Sequence, residues 1–410
     1  MASVTAFTED DVKKRSVIMV LGSMPRGSEF GIDCKIWKIG DKFKGIAAVP
    51  PGIHYLHYTA ADAGNACHIG QLRMGFFVNV EVGGLLIYIW DTKSETLVPL
   101  EDRAELERYR RGVLRGAFEA SLGPYPVAEY SLWCKLSNYI NKNTIDKLEP
   151  VQKRVIASSK PLNCDEKERV GDNSCTGSGS VLSGASSHIF FTRLPSLMKK
   201  ETRGAATKLS PIEITNHVFD KSDTLLRLLQ KDYDYDFRLF LGEMQFAFVC
   251  FLVGQSFEAF DQWKGMVDLL CSSERALLGK EIPKEFFSHN ITIVEIQEFL
   301  VHFLQVLKVH LEQIPLDFFD SDLSKGNFLE QCVTNLYLIC IKDSLTDSGI
   351  GIQGGQDHVQ CHENIRKEVM AILKFLQTSV GVDIEERYLH GNNLDEEDLP
   401  VVVDLDAAMF

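Results

Sequence analysis

The chain has 410 residues, of which 45% are hydrophobic, 24% charged and 10% aromatic. Those are the proportions of an ordinary globular chain of two or three domains, and they exclude a wholly disordered, collagen-like or coiled-coil protein. Its 43 Lys and Arg stand against 57 Asp and Glu, a net charge of −14. A phosphate backbone repels such a surface unless its cations cluster, so no direct nucleic-acid contact is expected.

The opening residues, MASVTAFTEDD, carry acids and no apolar core, so no secretory signal is expected. The strongly apolar run at 246–253 is far shorter than the roughly 20 residues a bilayer needs, and no membrane partner is expected. Ten cysteines occur without any C-x-x-C pair. Several, such as Cys250 and Cys340, sit inside apolar stretches. A reduced, intracellular protein without a metal or other cofactor is expected.

Residues 1–150 read as a β-rich domain. Short β-branched or aromatic runs at Val17–Leu21, Ile53–Tyr58, Phe76–Val80 and Leu85–Trp90 are each bounded by Gly, Pro or Asp. The run at Ile53 is apolar on both alternations, which predicts a strand covered on both faces. Helices are predicted at Asp102–Leu122 and Ala128–Asn141, interrupted by Gly123-Pro124-Tyr125-Pro126. Residues 151–210 read as a linker, since ten of the seventeen residues from Gly171 to Ser187 are Gly or Ser.

From Ser210-Pro211, an N-cap followed by proline, residues 211–390 read as an all-helical domain. Leu225, Leu226, Leu228 and Leu229 mark one helix, and 244–253 is apolar nearly all round, as in an enclosed helix. Further helices are predicted at Thr292–Gln313, Asn327–Lys342 and His358–Gln377. The fold class is therefore α+β in two domains, with an acidic tail at 391–410. That tail holds six acids and no Lys or Arg, with Asp395-Glu396-Glu397-Asp398 preceding Pro400-Val401-Val402-Val403-Asp404-Leu405. A valine strand on an acidic leash suits addition to the edge of a partner's sheet, and Val401, Val402, Val403 and Leu405 are the candidate binding residues. Return of this strand to the chain's own sheet is the alternative.

Catalytic and metal motifs are absent or defective. Gly349–Gly354 is a literal G-x-G-x-x-G but lacks the strand before it and the helix after it. Asp232–Asp236 begins like a calcium loop, yet its sixth position is Phe237 where glycine is required. His362-Glu363 is followed by Arg366 rather than a second histidine. Glu298 and His302, one helical turn apart, read as an exposed pair. Arg73–Val78 is out of register with an RNA-binding strand. His54 and His57 are the remaining candidates for an unrecognised site. No enzyme is expected.

Three blocks together resemble a known family. The first is Gly31-Ile32-Asp33 with Trp37, Gly40, Lys42, Phe43 and Gly45, then Pro50-Pro51-Gly52-Ile53-His54 and Met74-Gly75-Phe76-Phe77. The second is Gly242-Glu243-Met244-Gln245-Phe246-Ala247-Phe248-Val249, continuing to Glu258, Phe260 and Trp263. The third is the tail, Pro400–Val403. Together they are similar to the A1 cistron-splicing factor family of U5 small nuclear ribonucleoprotein assembly factors. The resemblance implies an N-terminal β-sandwich-like domain with flanking helices and a C-terminal VHS-like helical domain. It further implies binding to the U5 scaffold protein, pre-mRNA-processing-splicing factor eight, through its RNase-H-like and MPN-type domains, in the cytoplasm and nucleus. Such a factor blocks premature helicase and RNA binding, and the tail adds a strand to the partner. A VHS-type adaptor or another interaction module unrelated to splicing is the alternative.

Overall fold

The computed structural model describes residues 16–22, 24–61, 72–157, 188–195, 220–279, 292–319, 327–346 and 356–384. Val401, Val402, Val403 and Leu405, the stretch 171–187, Ser210-Pro211 and the Gly349–Gly354 loop lie outside these residues. The described residues up to Pro195, joined by Lys231–Met266, form one compact unit. Asp220–Gln230 and Val267–Ile384 form a second.

The first unit is built on two five-stranded sheets. Sheet one comprises β1 (Ser16–Leu21), β4 (Gly45–Val49), β7 (Leu85–Asp91), β8 (Thr96–Pro99) and β9 (Leu122–Pro124), in the order β8-β7-β1-β4-β9. Its centre is the parallel pair β1–β7, registered from Val17 opposite Leu85 to Leu21 opposite Ile89. Sheet two comprises β2 (Glu29–Ile32), β3 (Lys35–Lys38), β5 (Gly52–Thr59), β6 (Met74–Val80) and β10 (Val155–Ile156), in the order β10-β6-β5-β2-β3.

Strand alternation makes the layers. Ile18, Val20 and Trp90 of sheet one meet Phe30, Leu56, Tyr58 and Val78 of sheet two in the central core. The opposite face of sheet one, with Val17, Met19 and Ile87, is covered by Leu106, Tyr109 and Val113 of α1 (Arg103–Leu114). The opposite face of sheet two, with Tyr55, packs against α2 (Val127–Ser137), α3 (Lys142–Leu148) and α5 (Phe237–Leu252). Strand β5 is thus covered on both faces, as its double alternation predicts.

Helix α1 stops at Leu114, not at Leu122. Gly116 takes a left-handed φ of +72°, and the Phe118 ring folds back over Gly112, whose Cα would otherwise carry a Cβ 2.7 Å from it. The chain then continues as β9, an edge strand that tolerates Pro124. The predicted helix Ala128–Asn141 runs as α2 only to Ser137, and a further helix, α3, starts after Asn141, whose side chain accepts from the Thr144 amide and caps it.

The second unit is helical. Besides the first residues of α4 (Ser222–Tyr233) and the last of α6 (Phe257–Cys271), it holds α7 (Glu274–Leu278), α8 (Ile293–Leu311), α9 (Phe328–Thr346) and α10 (Gln356–Phe375). Helix α8 opens with a capping box: the Glu295 amide donates to Thr292 Oγ1, and the Thr292 amide donates to Glu295 Oε2. It packs on α10, which also meets α9. Arg275 joins α7 to Asp220 and Asp223 by ion pairs.

Candidate functional site

Two buried polar clusters in the first unit gather several of the residues that the motif blocks single out. The first centres on Asp33, in the two-residue turn between β2 and β3, with a left-handed φ of +54°. Asp33 Oδ2 accepts from His54 Nδ1 at 2.8 Å and from the Tyr125 hydroxyl at 2.6 Å, while Oδ1 accepts from the Tyr55 amide at 3.0 Å. His54 Nε2 faces the Pro50 carbonyl at 2.8 Å, so both ring nitrogens face oxygen partners. Burial first, then the Asp33 carboxylate, pushes the Tyr125 phenol far above its ordinary range and keeps it a donor.

His57 lies alongside. Its Nε2 bonds the Asp33 carbonyl at 3.2 Å, and burial, followed by the Arg73 charge, lowers its pKa to about 3. Gly31 has to be glycine because a Cβ there would stand 2.2 Å from the His57 ring. Its role is close packing inside a strand rather than a turn.

The second cluster centres on Glu243, 1% exposed in the middle of α5. Its Oε1 accepts from the Thr192 amide at 2.7 Å and Gln262 Nε2 at 3.1 Å. Its Oε2 accepts from Thr192 Oγ1 at 2.8 Å, the Tyr233 hydroxyl at 3.0 Å and Lys147 Nζ at 3.5 Å. Burial, then this carboxylate, raises the Tyr233 phenol. Two residues on, Gln245 accepts from the Tyr139 amide at 2.8 Å and donates to Lys135 O and Asn138 Oδ1 at the end of α2. Helix α5 approaches that corner closely: a Cβ on Gly242 would stand 2.7 Å from the Tyr139 carbonyl oxygen.

Thr192 belongs to the extended segment 188–195. Its Phe190 amide donates to Leu148 O, and the Thr192 carbonyl accepts from Gln262 Nε2. Reading 151–210 as linker missed this docking. The apolar triplet Ile189-Phe190-Phe191 after a Gly/Ser stretch was the available signal.

The other sequence candidates separate into structural roles. Asp236 caps α5, accepting from the Arg238 and Leu239 amides. Asp234 and Tyr235 take the left-handed φ values, 48° and 56°, that turn the chain between helices. His302 is exposed on α8, and His362 and Arg366 lie together on α10. Among the described residues no three His, Cys, Asp or Glu side chains gather as metal ligands, and no helix is long and apolar enough to cross a membrane. Burial, reinforced by Asp33, pushes the Cys34 thiol up to about 12, the opposite of what activates a nucleophile.

All four sheet edges are poor templates for a further strand. Edge strand β3 ends in Lys35 and Lys38, β8 and β9 end in Pro99 and Pro124, and β10 has two residues. Beyond α1, cross-strand partners Ile89 and Val98 are both exposed on sheet one.

Comparison with known proteins matches both regions. A family model described as the AAR2 N-terminal domain matches residues 15–150, and one described as the AAR2 C-terminal repeat region matches residues 191–385. The chain is 36% identical over 329 residues to Protein AAR2 homolog of Homo sapiens, covering 76% of this chain and 79% of the relative. It is similar at 36% over 330 residues to the Mus musculus homolog, with coverage of 76% and 79%. The Caenorhabditis elegans homolog is 30% identical over 345 residues, with coverage of 80% and 87%.

Proposed function

Because the chain belongs to the AAR2 family, we propose that this splicing-related assembly factor acts without catalysis, as a clamp on the U5 scaffold protein, pre-mRNA-processing-splicing factor eight. The family match across both regions, in order, is the observation that carries the reading. The clamp engages the scaffold's RNase-H-like and MPN-type domains, and while bound it keeps helicase and RNA away from them. Val401, Val402, Val403 and Leu405 add a strand to the scaffold's sheets, a mode in which main-chain hydrogen bonds supply affinity. The blunted edges of the chain's own sheets support that assignment, since they offer this strand little pairing at home. A net charge of −14 suits a scaffold surface that is basic because it later holds RNA. The protein works in cytoplasm and nucleus, where assembly begins and ends.

The test is binding of the scaffold's C-terminal fragment to the full chain and to a chain ending at Leu394. Truncation is expected to weaken binding about tenfold or more with the thermal transition unchanged, and amides 401–405 are expected to gain protection in the complex. Unchanged affinity refutes the strand role. Recovery of membrane-coat proteins in place of the U5 scaffold from nuclear and cytosolic extracts refutes the splicing assignment in favour of an adaptor.

A further inference from the structure

A strand-forming segment that waits for a partner needs somewhere to be kept. The second unit presents a surface of matching chemistry on α10. Arg366, Lys367 and Lys374 are exposed there, with Met370 half-exposed between them. Among the described residues no carboxylate pairs with these three cations. The rise from Arg366 to Lys374 is about 12 Å. Beside this stripe, Ile365 and Val369 of α10 and Leu336 and Ile339 of α9 line a small cleft of about 20 Å³, with His362 and Arg366 also contributing to its wall. That is room for the tip of one aliphatic side chain.

The chain turns off α10 at its C-terminal end. A π-turn over Leu376–Val380 ends at Gly381, left-handed at φ +76°. The Val382 amide donates to Leu376 O, and Asp383 accepts from Gln377 at 2.8 Å. Val382 and Ile384 are buried, so the chain stays packed after the helix ends. Ten further residues separate Ile384 from Asp395, a reach of up to about 34 Å. Extended, Asp395–Asp398 spans about 10 Å, close to the length of the cationic stripe. Leu399 follows the acidic run in sequence.

We propose that residues 395–405 of this same chain dock on α10 when no partner is present, with Asp395–Asp398 on Arg366, Lys367 and Lys374 and Leu399 at the α9–α10 cleft. This deepens the clamp reading: the docked tail is a stored form, shielded from edge-to-edge association, and a partner must displace it. Held in place by exposed charge pairs and one aliphatic contact, the tail gives way easily to main-chain strand pairing.

The test uses the free protein, so its failure is distinguishable from failure of scaffold binding. A synthetic peptide of residues 392–408 is titrated into the full chain and into the chain ending at Leu394. Binding to the shortened chain, tenfold or more weaker to the full chain, is expected. It should fall at least tenfold with R366E, K367E and K374E combined, and again in 0.5 M salt. Hydrogen exchange should show amides 395–405 less protected in the triple charge-reversal full chain than in the unaltered one, with the thermal transition of both as the folding control. Equal binding to both lengths, no binding to either, or indifference to charge reversal overturns the proposal. If the peptide fails here while truncation still weakens scaffold binding, the stored form is wrong and the clamp stands.

Discussion

Replacing Glu243 by alanine tests the buried cluster on which α5 and segment 188–195 both depend. The substitution removes the acceptor for the Thr192 amide at 2.7 Å, the Thr192 hydroxyl at 2.8 Å, the Tyr233 hydroxyl at 3.0 Å and Gln262 at 3.1 Å. A donor stranded in the interior costs about 1–3 kcal/mol. Hydroxyls rotate and Gln262 has a second partner in the Thr192 carbonyl, so the amide and Tyr233 bear most of the loss. Relief of the carboxylate's own desolvation works in the opposite direction. Lys147, whose side chain is 43% exposed, adds little in water. The net expectation is a loss of about 3–5 kcal/mol, against about 1 kcal/mol for Glu243→Gln, which keeps Oε1 for Thr192 and Gln262. All four tryptophans, Trp37, Trp90, Trp133 and Trp263, lie in the first unit, so urea unfolding followed by tryptophan emission reads that unit directly. Hydrogen exchange at the Thr192 amide provides the local measurement. A cost under 1 kcal/mol with Thr192 still protected in Glu243→Ala would refute the reasoning.

Three further outcomes are expected. Among the described residues the buried Tyr55 hydroxyl has no hydrogen-bond partner, so Tyr55→Phe should leave stability unchanged or raise it by about 1 kcal/mol; a clear loss by urea unfolding would reveal a hidden bond. Gly242→Ala gains about 1 kcal/mol of helix propensity but drives a Cβ to 2.7 Å from the Tyr139 carbonyl oxygen, and a net loss of about 1–3 kcal/mol is expected in the same assay. Burial lowers His57 in the first unit and His310 in the second to about 3 when folded, against 6.5 unfolded. Below 6.5 the unfolded chain binds the extra proton, so the contribution is complete above that pH and lost as pH falls toward 3. Each group should cost its unit about 2 kcal/mol between pH 7 and 5, and a flat denaturation midpoint over that range would contradict both assignments.

How legible the fold was depended on how much of each element's character was local. β1, β5, β6 and β7 are runs of Val, Ile, Tyr and Phe, and the residues alone mark them. β2 (Glu-Phe-Gly-Ile) and β3 (Lys-Ile-Trp-Lys) are four residues each and contain Gly or Lys; they are strands because β5 lies beside them. Helix α8 was readable to within two residues, since Thr292 and Glu295 write its start into the sequence. The buried clusters were half visible. Glu243 and Gln245 are conspicuous as polar residues within an otherwise apolar helix, yet their partners are remote: Thr192 is 51 residues away, and Tyr139 is 106. Asp33 and Tyr125 are separated by 92 residues, and nothing local distinguishes Asp33 from any turn aspartate.

The first unit borrows α5 from a stretch of chain that a ribosome adds only after all ten described strands have been made. Until then the Tyr55 and Phe77 side of sheet two, which Phe246 covers at a ring separation of 4.6 Å from Phe77, stands open to water. Nascent chains therefore spend the synthesis of about 90 residues, roughly 5–20 seconds at typical translation rates, with an adhesive apolar wall uncovered. Fragments ending near Pro195 should precipitate or recruit chaperones, whereas those extending past Met266 should remain soluble. Vectorial synthesis, as much as equilibrium stability, thus determines where this polypeptide can be cut.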